Sequence, residues 1–351
     1  MIGNYDSRNW IEPLLSWFSE HARVLPWRSD PTPYRVWISE IMLQQTRVEA
    51  VKPYFERFYA ELPDIRSLAE CPEDRLLKLW EGLGYYNRVR NLQTAARQIM
   101  SGHGGEMPAD FGELLKLKGI GRYTAGAVAS IAFGIPVPAV DGNVFRVMTR
   151  LTADNSDIGK PSFRTELEAM LAGLIPADRA GAFNQALMEL GATVCVPGGP
   201  PKCAECPLAP YCRAHLECRE TDFPVKSPKA GRRIEEKTVL VICDGARSVF
   251  RKRPDKGLLA GMYEFPWEKG FLSSGEAVKY AEALGFSPVY IRPLPDATHI
   301  FTHVEWHMKA YLIKTAETET VPEGLILADR KQIQSEFPVP SAFAKYKEVV
   351  L

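Results

Sequence analysis

The chain has 351 residues, of which 46% are hydrophobic, 25% charged and 10% aromatic, and 43 basic side chains balance 43 acidic ones. This excludes a disordered, collagenous or disulfide-stapled protein, and a length of roughly twice the ~150 residues of a typical domain favours two domains. With zero net charge no global basic field draws the chain to nucleic acid, so any DNA contact has to come from local charge and geometry.

The first residues, MIGNYDSRNW, are polar and carry no apolar run, so no secretory signal is expected. Trp10, Leu14, Trp17 and Phe18 recur at helical spacing, as do Leu76, Leu77, Trp80 and Leu83. At Pro63-Asp64, Pro72-Glu73 and Pro108-Ala-Asp110 an acid follows a proline by one or two places, a pattern that opens helices. Tyr123 to Val140 is free of charge for 18 residues, the lower edge of a membrane span. Gly134, Pro136 and Pro138 end any helix near Gly134, so this segment is expected to be a buried core helix. A soluble, cytoplasmic protein with no membrane partner is the expectation.

The pattern changes after Thr221. Residues 223–236, rich in proline and charge, are expected to be a linker. Beyond it, strand patterns run over Thr238–Cys243, Ser248–Phe250, and Thr298–Val304 continuing into Met308–Ile313, with a helical pattern around Gly275–Leu284. The expected architecture is multidomain: an all-α domain over 1–222, the linker, and a smaller α+β domain over 237–351.

Two local patterns carry chemistry. The first is Cys195-x7-Cys203-x2-Cys206-x5-Cys212, a loop over 195–212 rich in Pro and Gly. Disulfides are not expected in a chain without a secretory signal, so four thiolates on one loop predict either a zinc site or a 4Fe–4S cluster. Cys71, Cys218 and Cys243 stand apart and are expected to be packing residues. The second pattern is Gly119-Ile-Gly121-Arg122 ahead of a helix. A tight turn there aims backbone N–H groups outward at a helix N-terminus, which cradles phosphate without net positive charge. About twenty residues on, Asp141 is an isolated acid at the end of the charge-free stretch.

Taken together, these features resemble the endonuclease III superfamily of helix-hairpin-helix DNA glycosylases, and within it the MutY-type adenine DNA glycosylases. The resemblance rests on Pro33 to Thr46 (PYRVWISEIMLQQT), Trp80 to Tyr86 (WEGLGYY), Leu117 to Ala125 (LKGIGRYTA), Val140 to Val144 (VDGNV) and Phe183 to Ala192 (FNQALMELGA). It implies a helix-hairpin-helix catalytic domain, a 4Fe–4S cluster on Cys195, Cys203, Cys206 and Cys212, and removal of adenine from DNA. Hydrolysing a purine N-glycosidic bond needs an acid for the leaving base and a negative charge beside the cationic sugar. By resemblance Glu40 is the acid that protonates adenine N7 and later helps activate water. Asp141 stabilises the sugar cation or bonds to it, and Tyr123 and Asn143 position these groups. The apolar flanks Trp37, Ile38, Ile41 and Met42 predict a raised pKa for Glu40.

The resemblance further implies that Arg23, Trp27, Leu43 and Gln185 line the adenine pocket. Gln45 and Tyr85 wedge into the duplex, and Thr46, Gly119, Gly121 and Arg122 belong to the DNA-contacting set. Glycosylase/lyases of this superfamily carry a Schiff-base lysine where this chain has Tyr123, so base excision without efficient strand cleavage is expected. The family usually has six residues between its first two cysteines; here there are seven, with Lys202 the one base among them.

Leu258 to Trp267 (LLAGMYEFPW) resembles the entry to a Nudix-type fold. Aligning the end of the diphosphatase signature on Gly285-Phe286 puts Val278 and Lys279 where Arg-Glu belongs and Glu282 and Ala283 where Glu-Glu belongs, so Glu282 is the one carboxylate of three that survives. One carboxylate is too few for a divalent cation, so a recognition domain is expected. By resemblance it reads 8-oxoguanine opposite the adenine through Phe301, Thr302 and His303, with Thr302 standing where relatives have serine. His299, His303 and His307 recur at spacing four, but on one extended strand each step of four spans roughly 13 Å, too far for a shared ion. The implied protein is a monomeric, nucleoid-associated, monofunctional adenine glycosylase acting on double-stranded DNA with A:8-oxoguanine or A:G mispairs. The alternatives are a bifunctional pyrimidine-lesion glycosylase and a non-catalytic iron–sulfur DNA-binding sensor.

Overall fold

A computed structural model describes residues 8–228, 231–317 and 321–351. Two units emerge, Met1–Glu70 with Asn91–Pro228, and Cys71–Arg90 with Lys229–Leu351. The first is helical: α1 (Ile11–His21), α2 (Pro33–Leu43), α3 (Val48–Glu61), α4 (Ile65–Glu70), α6 (Asn87–Gly102), α7 (Phe111–Lys116), α8 (Arg122–Phe133), α9 (Gly142–Thr152), α10 (Pro161–Leu174), α11 (Ala180–Thr193) and α12 (Arg213–Leu216), with α5 (Glu73–Leu79) in the second unit. The proline–acid pairs do open helices. Asp64 accepts from Ser67 N–H at 2.7 Å ahead of α4, and Asp110 caps α7 by accepting from Glu113 N–H at 2.8 Å. Pro33 occupies the first turn of α2 behind the cap Thr32.

Three helices are buried nearly all round, one of them α9 from Val144 to Thr152. In α2 every residue from Val36 to Met42 is buried, and in α8 so are Thr124 to Ser130. Helix α8 stops at Gly134, whose φ of 67° closes the last turn in the left-handed region, and prolines 136 and 138 follow. Small residues let neighbours approach it: a Cβ on Gly126 would sit 2.3 Å from the Pro138 carbonyl oxygen. Among the described residues no helix is long and apolar enough to cross a membrane.

The second unit holds a seven-stranded sheet of β1 (Arg233–Cys243), β2 (Arg247–Lys252), β3 (Tyr263–Glu264), β4 (Trp267–Lys269), β5 (Pro288–Ile300), β6 (Val304–Thr315) and β7 (Leu325–Asp329), with α13 (Ser274–Ala283) between β4 and β5. The order is β3-β2-β1-β6-β5, with β4 on β1 and β7 on β2; the β1–β6 pair is parallel and the others antiparallel. The strand expected to run from Thr298 through Val304 into Ile313 is instead two strands, β5 and β6, turned back on each other at residues 301–303. Strand β5 reaches back to Pro288 despite Pro288, Pro293 and Pro295. It tolerates them because it is an edge strand whose outer side needs no ladder hydrogen bonds, and the register slips between Leu294 and Ala297. The extended-strand spacing argued for the histidines therefore does not hold. His299 faces Trp306 across the ladder, the neighbour of His307, so His299 and His307 point to opposite sides of the sheet.

The expected linker, 223–236, includes residues 229 and 230, which lie outside the described residues. From Arg233 onward it is already β1, held in parallel register by Val304 and its successors on β6. Residues 71–90 are helical by pattern but group with the sheet, for polar reasons: Lys78 Nζ donates to the Ile333 and Phe337 carbonyls at 2.9 and 3.1 Å, and Asp74 accepts from Lys252 at 2.7 Å and from the Tyr263 phenol at 3.2 Å.

Candidate active site

The helical unit contains a cleft of about 1070 Å³, and ten of the sequence-predicted residues line it: Arg23, Trp27, Glu40, Leu43, Gln45, Thr46, Tyr123, Asp141, Asn143 and Gln185. Five backbone segments deliver them. The loop after α1 brings Arg23 and Trp27; α2 and the turn after it bring Glu40, Leu43, Gln45 and Thr46; the first turn of α8 brings Tyr123, and the start of α9 Asp141 and Asn143. Helix α11 adds Gln185.

Glu40 is 7% exposed on a helix buried nearly all round, and the Tyr123 phenol donates a hydrogen bond to its Oε2. Burial pushes the Glu40 carboxyl up to about 7; the Tyr123 hydrogen bond opposes this, and the nearby Asp141 charge adds to it. Burial beside these two acids also raises Tyr123 well above the ordinary tyrosine range, so it remains a donor. Asp141 caps α9, accepting from Val144 N–H at 2.8 Å through one oxygen and from Asn143 Nδ2 at 2.7 Å through the other. Burial raises it too, but these hydrogen bonds and the Arg146 charge pull the other way. The cleft thus pairs a carboxyl that holds its proton near neutrality with one whose ionised form has several donors around it. Such a pair can donate a proton on one side and stabilise a cation on the other.

Around these groups the backbone is unusual. Gln45 has φ 59° in the turn that ends α2, where Thr46 N–H bonds to the Leu43 carbonyl. A non-glycine residue there stores of order 1–3 kcal/mol of strain, which persists only where its surroundings impose it. Gly191 on α11 is required for close helix contact, since a Cβ there would lie 2.5 Å from the Asn143 Cβ. Arg146 connects onward: Nη2 donates to Asn143 Oδ1 at 2.8 Å and to the Gly191 carbonyl at 2.7 Å, and Nε to the Cys195 carbonyl at 2.7 Å.

Gly119, Gly121 and Arg122 lie outside the cleft, on the hairpin from α7 to α8. Gly119 has φ 78°, and a Cβ would meet Asn91 at 2.6 Å. Gly121 is the N-cap of α8 and offers no side chain to its first N–H groups. The exposed Arg122 bonds to buried Glu168 at 2.5 Å. Cys195, Cys203, Cys206 and Cys212 line a separate void walled by Val147, Leu151, Leu190, Val194 and Leu208. None of the four forms a disulfide, and Arg150 Nη1 donates to Cys195 Sγ at 3.3 Å. Burial pushes the Cys203 thiol up to about 11 and Cys206 to about 12.

Tyr85, Phe301, Thr302 and His303 belong to the sheet unit. Phe301 packs edge-on against Trp306 with ring centres 4.8 Å apart, and Thr302 and His303 stand exposed at the tip of the β5–β6 hairpin. Thr302 Oγ1 donates to the Tyr85 hydroxyl at 3.4 Å, and Tyr85 itself has φ 49°.

Residues 38–172 match the HhH-GPD superfamily base excision DNA repair protein family, and residues 238–349 the NUDIX domain. An adenine DNA glycosylase from Homo sapiens is 34% identical over 96% of this chain and 72% of its own length. The chain belongs to the adenine DNA glycosylases. These are hydrolases of N-glycosyl bonds that remove adenine from DNA in base excision repair. Their Buchnera aphidicola (subsp. Acyrthosiphon pisum) member is 32% identical over 86% of this chain and 85% of its own, and the Arabidopsis thaliana member 39% identical over 72% of this chain, which spans 46% of that relative. A thermostable thymine-DNA glycosylase structure superposes with TM-score 0.55 at 28% identity over 60% of this chain and 96% of that one. An endonuclease III–DNA complex does so with 0.52 at 27% over 60% and 95%. The glycosylase therefore has the expected architecture, a helical helix-hairpin-helix domain followed by a Nudix-like domain with a sheet.

Among the side chains of this glycosylase's cleft to which sequence reasoning gave no role are Arg28, Arg146, Met188 and Glu189. Met188 and Glu189 had a signal. They lie three and four residues beyond Gln185, on the same helix face, within a motif already singled out. Arg28 sits in an irregular loop with no periodicity to mark it.

Proposed function

We propose that this glycosylase removes adenine paired with 8-oxoguanine, and less readily with guanine, by acid-assisted hydrolysis without strand cleavage. The observation that carries the reading is one cleft holding both Glu40, whose proton persists to about pH 7, and Asp141, with the Tyr123 phenol on Glu40. Glu40 gives its proton to adenine N7 as the N-glycosidic bond lengthens, and the Asp141 carboxylate faces the positive charge that grows on the sugar. Once adenine has left, ionised Glu40 accepts a proton from the attacking water. Tyr123 holds the Glu40 carboxyl and offers no amine to C1′, and Asn143 holds Asp141. Arg23, Trp27, Leu43 and Gln185 form the walls for the extruded base, whose unstacking costs a few kcal/mol.

Gln45 and Tyr85 are the residues that enter the duplex. Both hold a left-handed backbone on exposed turns, the kind of strain that accumulates at functional positions. Thr46 supports that turn, and the N–H groups after Gly119 and Gly121, with Arg122, hold backbone phosphate. Phe301, Thr302 and His303 read the opposing base from the hairpin tip, with the Thr302 hydroxyl tied to Tyr85.

Cys195, Cys203, Cys206 and Cys212 fit a 4Fe–4S cluster: four thiols free of disulfides line one void, whose wall also carries Arg150, Lys202, His215 and Glu220. When bound, the cluster supplies a cross-link that fixes the 195–212 loop, and it displaces the thiol protons that burial otherwise retains. Purified protein is expected to be brown with broad visible absorption that acid bleaches; a colourless protein containing zinc would refute the iron assignment.

The deciding experiment incubates the protein with duplexes carrying one A:8-oxoguanine, A:G, A:T or thymine glycol:A pair, half of each then treated with alkali. Strand breaks are expected only after alkali, fastest for A:8-oxoguanine. Equal rates on A:G would defeat the lesion-reading role, breaks without alkali the monofunctional role, and thymine-glycol excision would point to the pyrimidine-lesion class.

A further inference from the structure

Glu189 is the most buried charge of the cleft, 1% exposed on α11, and nothing in the reaction above uses it. Both its oxygens are filled. Oε1 accepts from the Arg23 backbone N–H at 3.1 Å and from Arg23 Nε at 2.6 Å; Oε2 accepts from Arg23 Nη2 and Arg28 Nη2, each at 2.9 Å. Arg28 Nη1 in turn donates to the Arg23 carbonyl at 3.2 Å. One carboxylate therefore pins an irregular loop at its backbone and at two guanidiniums, and that loop carries Trp27 into the cleft. A buried carboxylate between two cations would be a costly way merely to fasten a loop, because each ion gives up its hydration.

The charge has a second consequence. Glu40 is faced by Tyr123 from α8, Asp141 from the start of α9 and Arg28 from the loop, while α11 contributes Met188 and Glu189. Of these, Arg28 is the one cation, and its field favours ionised Glu40. Its ion pair with Glu189, at 2.9 Å, sets a negative charge against that field. Burial pushes the Glu189 carboxyl up, but Arg23 and Arg28 outweigh this and keep it ionised across the neutral range.

We infer that Glu189 is a positioning residue of the glycosylase reaction, holding the Trp27 loop against α11 and neutralising Arg28 so that the catalytic proton stays on Glu40. This rests on the proposed role of Glu40. Removing the negative charge at 189 leaves Arg28 unpaired beside Glu40 and favours loss of that proton; removing Arg28 does the reverse. A residue that only shaped the loop would lower the rate equally at every pH.

The test is single-turnover adenine release from an A:8-oxoguanine duplex between pH 5.5 and 9, for the unsubstituted protein, Glu189→Gln, Glu189→Asp and Arg28→Gln. In parallel, the Glu40 carboxyl is titrated by NMR in protein carrying 13C at the glutamate side-chain carboxyls and assigned with Glu40→Gln. Glu189→Gln is expected to move the alkaline midpoint down by about one pH unit, so that the rate near pH 8 falls about tenfold while the plateau below the midpoint changes less. Glu189→Asp restores the midpoint, and Arg28→Gln moves it upward, so the two charge removals shift the profile in opposite directions. A Glu189→Gln profile lowered uniformly, or an Arg28→Gln midpoint that stays or falls, overturns the inference. Should Glu189→Gln fail to fold, the sign of the Arg28→Gln shift still decides it. Unsubstituted protein that releases no adenine overturns the catalytic reading instead, and the NMR titration still decides the coupling.

Discussion

Replacing Glu40 by glutamine is expected to lower adenine release by at least about 10²-fold while leaving duplex binding intact, because a general acid contributes roughly 10²–10⁴ and an amide has no proton of comparable acidity to give. The amide oxygen still accepts the Tyr123 hydrogen bond, so the cleft keeps its shape. Stability should move the other way. Glu40 has a folded pKa of about 7 against an ordinary 4.5. Between those values the folded protein binds more protons than the unfolded chain, so stability falls as pH rises from about 4.5 and the loss is complete above 7. At about 1.4 kcal/mol per unit this is on the order of 3 kcal/mol. The Gln variant has no such term, so its stability relative to the unsubstituted protein should rise by that order between pH 4.5 and 8. Urea unfolding at both pH values measures the change, and fluorescence anisotropy with a mispaired duplex measures binding. A stability difference independent of pH would mean that Glu40 ionises normally in the fold, and a variant with full activity would remove it from the reaction.

The same contrast explains what could be read from the sequence. Glu40 was legible because its surroundings are local: Trp37, Ile38, Ile41 and Met42 are its own helical neighbours, and they create much of the burial that raises it. The end of α8 at Gly134 and the crowding of four cysteines are likewise properties of short segments. The pairing of Glu189 with Arg28 was not legible, because it joins residues 161 apart and neither residue says in isolation where its partner lies. Strand β5 was hidden by its prolines, which argue against a strand unless one knows it lies at an edge. The helical periodicity of residues 71–90 points to the helical domain. Their membership of the sheet unit is decided by Lys78 and Asp74 bonding to residues far along the chain.

For Asp141 the structural and chemical roles overlap, and the Asn substitution separates them. Asp141→Asn should reduce adenine release by on the order of 10³-fold, comparable to losing a group aimed at transition-state charge, while changing unfolding free energy by less than about 1 kcal/mol. Asparagine is as good an N-cap as aspartate, so its amide oxygen can still accept from Val144 N–H and α9 keeps its first turn. What it cannot do is accept from Asn143 with the second atom, because that atom is now a donor. Nor does it carry the negative charge that faces the sugar. Asp141→Ala, by contrast, should lose both, with an added cap cost of about 1 kcal/mol. Single-turnover rates and urea midpoints of the two variants discriminate the roles. An Asn variant within tenfold of the unsubstituted rate would assign Asp141 to helix capping alone and leave the sugar cation to be stabilised elsewhere. The prediction favours charge because the site surrounds that carboxylate with donors, Val144 N–H, Asn143 Nδ2 and the nearby Arg146 cation, all of which stabilise its ionised form against the burial that opposes it.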